Sequence, residues 1–210
     1  MAVRRSRKAR KATKVAQAPR KGGGGRTTLV VVLLVLVVVL GYLGYAGLFS
    51  PVTVAEREVG PFSLMLQIQK GSYSQTPATL KAAEASAKSV GIVPEAGCGI
   101  FLDNPREVKT ADLRAHVGLI VSPNDRDKVR KLPAEITYKD LPKEKCLVAE
   151  FPFRTKLSVW LGIMRVYPAM ARAAAAANLE RVPILEIYRA HSTITYVMPM
   201  VQAEKPAAAK

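Results

Sequence analysis

The chain has little of what most catalytic and metal centres need. It holds two cysteines, two histidines and one tryptophan in 210 residues, and no acid before Glu56. Cys98 and Cys146 form no CxxC, and with His116 and His191 they make no cluster at metal-ligand spacing, so no metal and no other cofactor is implied. His116 alternates away from the apolar face of its strand and His191 sits in a hairpin turn, and neither makes a catalytic case. Two cysteines cannot build a disulfide framework; they form one pair in an oxidising compartment or remain two lone thiols.

The missing acids locate the charge. The formal net charge of +16 suggests a nucleic-acid ligand, but residues 1–26 alone contribute ten Lys and Arg, and the remaining 184 residues carry 22 bases against 16 acids. The basicity belongs to a tail that ends in four glycines and has almost nothing to bury, so residues 1–26 are expected to be disordered. A charge confined to a tail argues against nucleic acid as the partner of the domain that follows.

From Thr27 to Ala55 there is no charged residue at all. The 23 residues of "TTLVVVLLVLVVVLGYLGYAGLF" reach about 34 Å as a helix, enough to cross a bilayer core, and Tyr42 and Tyr45 suit an interfacial belt. Gly44-Tyr45-Ala46 resembles a signal-peptide cleavage site, but the apolar run exceeds the usual length of a signal's apolar region. The reading is an uncleaved transmembrane helix over 27–50. The bases before it place the N-terminus in the cytoplasm and the domain outside.

Residues 51–202 alternate between periods, and 203–210 is a small, frayed tail expected to be disordered. "FSLMLQIQ" (62–69) reads as a strand. "TPATLKAAEASAKSVG" (76–91) reads as a helix with Thr76 as N-cap, Pro77 at the first helical position and Gly91 just past its end. "CGIFLD" (98–103) and "DLRAHVGLIVS" (112–122) read as strands. A charged connection, 123–144, contains a short strand, "AEITYKD". The order then returns: strand 145–153, a helix capped by Thr155 and interrupted or kinked at Pro168, and a closing hairpin of 183–189 and 193–201 around "AHS". Trp160 falls with Leu157, Leu161 and Met164 on the apolar stripe of that second helix, where packing into the core competes with a place in a ligand wall. The fold class is therefore α+β, an N-terminal transmembrane helix followed by a strand–helix–strand–strand unit built twice, with halves of about 51–122 and 135–202.

The third element of each half carries an acid beside an aromatic. Phe101 and Asp103 share one face of the first, Glu186 and Tyr188 one face of the second, with Leu102 and with Leu185 and Ile187 opposite. Leu185 and Ile187 are expected to face the helix and the acids to face away from it. Asp103 also suits a cap of the turn at Asn104-Pro105.

With "GSY" (71–73), "IFLDNP" (100–105), "LRAHVGLIV" (113–121) and "LEIYR" (185–189), the chain resembles the GyrI-like domains, which include the effector-binding domains of bacterial multidrug-responsive transcription activators. The likeness covers about 140 residues. It is strongest to a membrane-anchored receptor branch that acts in turnover of the endoplasmic reticulum, through Val117-Gly118, Phe151 to Trp160 and Arg165 to Ala169. The resemblance implies two pseudo-twofold-related units with a cleft between them. In its drug-binding members a carboxylate on the "EIY" strand meets lipophilic cations among aromatics, which maps onto Glu186, with Tyr188, Trp160, Tyr73 and Phe101 as walls. Other members hydrolyse reactive lipophilic compounds, which would again use Glu186. The first expectation is a membrane-anchored small-molecule binding module; the alternatives are a hydrolase and a non-enzymatic adaptor or receptor with a protein partner. No helix-turn-helix precedes the domain, so transcription activation is not supported.

The topology is testable with protease added to intact cells or spheroplasts. Residues 51–210 are expected to be degraded; protection until lysis would reverse the orientation.

Overall fold

A computed structural model describes residues 24–105, 107–189 and 192–202. The basic tail, the C-terminal tail and His191 lie outside the described residues, apart from Gly24, Gly25 and Arg26. Helix α1 (Gly24–Tyr45) is long and apolar enough to cross a membrane, by length and composition.

The domain has eight strands and three further helices in chain order: β1 (Val54–Val59), β2 (Phe62–Lys70), α2 (Thr76–Ser89), β3 (Ala96–Phe101), β4 (Arg114–Val121), the short α3 (Arg126–Val129), β5 (Ile136–Leu141), β6 (Glu144–Pro152), α4 (Lys156–Ala176), β7 (Leu185–Tyr188) and β8 (Thr193–Pro199). The strands form one antiparallel sheet in the order β1-β6-β8-β7-β3-β4-β2-β5. Read from its ends, the sheet is two copies of one arrangement meeting at the β7–β3 seam.

β1, whose middle is the charged run Glu56-Arg57-Glu58, was not expected as a strand. Its place is informative. β1 leads into β2 but pairs with β6, and β5 leads into β6 but pairs with β2. Each half lends its leading strand to the other. In a flat sheet β1 and β2 would lie about 29 Å apart, yet Gly60 and Pro61 alone connect them and reach about 10 Å. The sheet must therefore curl until its ends meet. The two connections do touch: Gly60 has φ +98°, and a Cβ there would lie 2.8 Å from the Pro142 carbonyl oxygen.

Curling buries both faces. Met65, Leu119 and Val121 pack against Ala83 and Ala87 of α2, and Leu147, Ala149, Phe151, Ile194 and Tyr196 against Leu161, Val166, Met170 and Ala174 of α4. The helix-free face closes on Leu64, Leu66, Cys98, Ile120, Cys146, Val148, Leu185, Ile187 and Val197. Leu185 and Ile187 thus face away from the helices, the reverse of the expectation, because an apolar strand face marks burial and not which layer does the burying. Cys98 and Cys146 are free thiols in this second core, and burial raises them to about 12 and about 11.

Helix ends follow local chemistry. Gly91, at φ +69°, closes α2: its amide donates to the Lys88 carbonyl and that of Ile92 to the Ala87 carbonyl, a Schellman arrangement. Thr155 and Ser158 form a reciprocal capping box on α4. Thr76 does not cap α2. It is the first helical residue, after Gln75, and its buried hydroxyl lies 3.4 Å from Gln69 Nε2. Helix α4 runs on through Pro168, and its buried stripe is Ser158, Leu161, Gly162, Val166, Met170 and Ala174. Trp160 and Met164 are exposed instead.

Gly118 carries the tightest approach in the sheet, with a Cβ there falling 1.8 Å from the Met65 carbonyl oxygen. Gly118→Ala should force β4 away from β2 and cost on the order of 3 kcal/mol, read by denaturant unfolding. A midpoint unchanged from the native chain would contradict this packing.

Candidate functional site

Glu186 sits at the β7–β3 seam, on the helix side of the sheet. Its strand neighbours are Tyr196 on β8 and Gly99 on β3. The side chain is 1% exposed. Oε1 accepts from the Tyr167 hydroxyl at 2.6 Å and Oε2 from the Tyr188 hydroxyl at 2.7 Å. Tyr167 belongs to α4, so the acid faces its own helix, contrary to the expected direction. Arg189 does not reach it and instead donates to the Thr195 hydroxyl at 3.2 Å.

A buried carboxylate without a cation is expensive to ionise. Burial pushes the Glu186 carboxyl up, and the two phenol donors, which favour the charged form, only partly oppose this. The same burial, with the carboxylate nearby, raises Tyr167, Tyr188 and Tyr196. The Tyr196 ring stands edge-on to Tyr167 at 5.9 Å, and its hydroxyl, which a Cβ on Gly162 would meet at 2.3 Å, has no hydrogen-bond partner among the described residues. Phe153 lies 6.1 Å from Tyr188.

The other half contributes small residues and a second aromatic pair. Gly97 and Gly99 face Tyr188 and Glu186 across the seam. A Cβ at Gly99 would lie 3.1 Å from the Phe101 ring and 3.4 Å from the Tyr188 hydroxyl, so this glycine joins the two aromatic groups. Tyr73 meets Phe101 edge-on at 4.8 Å, and its hydroxyl donates towards the backbone carbonyls of Asp103 and Arg114, each at 2.9 Å. Four of the five expected site residues, Glu186, Tyr188, Tyr73 and Phe101, therefore lie about the seam. Trp160 stands apart, 57% exposed on α4. Tyr167, Tyr196 and the two glycines escaped sequence reading; the faint signal for Tyr167 was a lone tyrosine on a helix otherwise rich in Ala and aliphatics.

Asp103 does a different job. Its Oδ2 accepts from the Arg114 amide at 2.7 Å and Nε at 3.0 Å, and Oδ1 from an Arg114 terminal nitrogen at 2.9 Å. The carboxylate closes the β3–β4 connection, and Arg114 holds it below the usual carboxylate range.

The class of protein follows from a duplicated α+β sheet with an acid and tyrosines buried at its seam. Residues 53–194 match the GyrI-like family, described as a GyrI-like small molecule binding domain, and the chain belongs to that family. It is 27% identical over 171 residues to the Testis-expressed protein 264 homolog of Mus musculus and 26% over 173 residues to Testis-expressed protein 264 of Homo sapiens. These alignments cover 77% and 78% of this chain but 53% of each relative, so the chain spans about half the length of the curated relatives it matches. The crystal structure of the EcmrR C-terminal domain superposes with a TM-score of 0.55 at 10% identity, covering 72% of this chain and 99% of that one. EcmrR in its DNA complex gives 0.57 at 10% identity, covering 85% and 69%. At such identity these structures establish the fold alone.

The two acids should respond oppositely to pH. The raised Glu186 contributes stability that is full below the ordinary glutamate range and lost as pH rises through its folded value. Glu186→Gln should therefore melt higher than the native chain at alkaline pH and about equally in acid. The depressed Asp103 contributes above the ordinary aspartate range and loses that contribution as pH falls. Asp103→Asn should melt lower at neutral pH, with the gap closing on acidification. Thermal unfolding of both variants across pH reads this directly; like-signed trends would refute the assignment.

Proposed function

We propose that this chain is a membrane-anchored module that takes a small lipophilic cation at the β7–β3 seam, with Glu186 as the counter-charge. The observation that carries the reading is a fully buried carboxylate whose hydrogen-bond partners are two tyrosine hydroxyls and no cation. A hydrophobic cation entering there would supply the missing charge, while the rings of Tyr188, Tyr167, Phe101 and Tyr73 offer faces that add roughly 0.5–2 kcal/mol. Gly97 and Gly99 leave the floor without side chains. The match to a small-molecule binding family supports the same reading. Glu186 has no nucleophile or histidine hydrogen-bonded to it among the described residues, so binding is favoured over turnover. The anchor is α1, with the domain outside the cytoplasm on the charge argument. Likeness to the Testis-expressed protein 264 relatives supports a second reading, an adaptor whose partner is a protein.

Titration of the full chain in detergent with a cationic dye tests the first reading. Saturation at 100 times Kd should add about 2.7 kcal/mol to stability. Glu186→Gln should weaken the dye by roughly 1.5–3 kcal/mol, and native affinity should climb with pH as Glu186 ionises. Asp103→Asn should leave affinity unchanged. Equal losses at the two acids would place the site elsewhere, and no dye response together with capture of a defined protein partner would favour the adaptor.

A further inference from the structure

We infer that the outward face of α4, with Tyr45 and Phe49, lies in the headgroup layer of an anionic bilayer, docking the domain on the membrane that anchors it. This rests on the anchor reading above, and three independent observations carry it. The first is charge. From Arg154 to Asn178 the chain holds Arg154, Lys156, Arg165 and Arg172 and no acid. A domain helix of one sign has no charge partners on its own surface and complements an anionic one.

The second is the exposed apolar surface. Trp160, Ile163 and Met164 fall at i, i+3 and i+4 on the side of α4 that the sheet does not cover, and they are exposed by 57%, 43% and 44%; Tyr45 and Phe49 add 56% and 69%. Bases with a central tryptophan and aliphatics are the composition of a helix lying in the plane of a membrane interface.

The third is the attachment of the chain where it leaves the apolar helix. The Arg154 guanidinium donates to the Tyr45 carbonyl at 3.0 Å and covers the Tyr45 ring at 5.4 Å. Arg165 donates to the Gly47 carbonyl at 3.0 Å and also to that of Leu48. Ala46 is fully buried in the α4 core, and Gly47 abuts Phe151, whose ring a Cβ would meet at 3.0 Å. Residues 45–48 are therefore fastened to α4 itself.

Trp160 is the sole tryptophan and reports the contact itself. The full chain would be reconstituted in phosphatidylcholine vesicles with and without phosphatidylserine, floated on a density gradient, and read by tryptophan emission with brominated lipids or aqueous iodide as quenchers. The expected result is blue-shifted emission, strong quenching by brominated lipid, weak quenching by iodide, and a larger shift with phosphatidylserine. Ile163→Glu, at an exposed position that leaves the core untouched, should float equally well but shift the emission back to the red. Flotation with quenching by iodide alone would overturn docking while keeping the anchor. Protection from both quenchers would assign the face to a protein or a second copy and overturn docking as well. Failure to float would remove the anchor and the docking together.

Discussion

Two connections of two residues each decide the shape of this domain. Gly60-Pro61 and Pro142-Lys143 join strands that sit near opposite ends of the sheet, so the sheet has to close on itself, and each half must hold the other's leading strand. Exchange of this kind makes the halves interdependent: neither can complete its own four strands. It also creates a second core where an open sheet would expose Leu64, Leu66, Leu185 and Ile187 to water.

The seam at which the halves meet follows from that closure. β7 and β3 are short central strands with neighbours on both sides, and a residue on their helix side is covered from above by α4 and flanked by both repeats. Glu186 occupies this position at the cost of desolvation. Two tyrosine hydroxyls satisfy its oxygens without neutralising it, a state in which the carboxyl holds its proton more tightly and in which a positive guest would be worth more than at any exposed acid. Asp103, just past the end of β3, is neutralised by Arg114 and serves the fold, while the register places Gly99 at the position of the first half that corresponds to Glu186. The two acids thus have opposite electrostatic character, because one has a guanidinium within reach and the other does not.

Helix α4 connects these regions. Its inner stripe packs the sheet, Tyr167 at the margin of that stripe reaches Glu186, and Arg165 two residues earlier holds the chain emerging from α1. Gly162 is needed within the same helix to admit the Tyr196 hydroxyl. A helix that performs all of these contacts has little freedom to move without disturbing the acid.

Much of the architecture was legible in the residues. The charge-free run named the apolar helix, period-two and helical spacings gave strand–helix–strand–strand twice, and Gly91 and Thr155 marked helix ends whose hydrogen bonds depend only on near neighbours. Glu186 and Tyr188 could be paired because residues two apart on a strand share a face. What sequence could not supply was anything set by strands distant in the chain. β1 was not expected as a strand because its pairing with β6, about ninety residues on, leaves little trace in a segment whose middle is charged. The side on which Glu186 lies was misjudged because the curl buries both faces, so an apolar stripe no longer points to a helix. Spacing put Trp160 on the apolar stripe of α4, with the core and a ligand wall as alternatives, but Leu161 and Val166 turn inward and Trp160 is left exposed. Local chemistry, encoded within a few residues, was determined by the sequence alone; the partner of each strand, the covered face and the solvation of the acid were decided only when the two halves closed on each other.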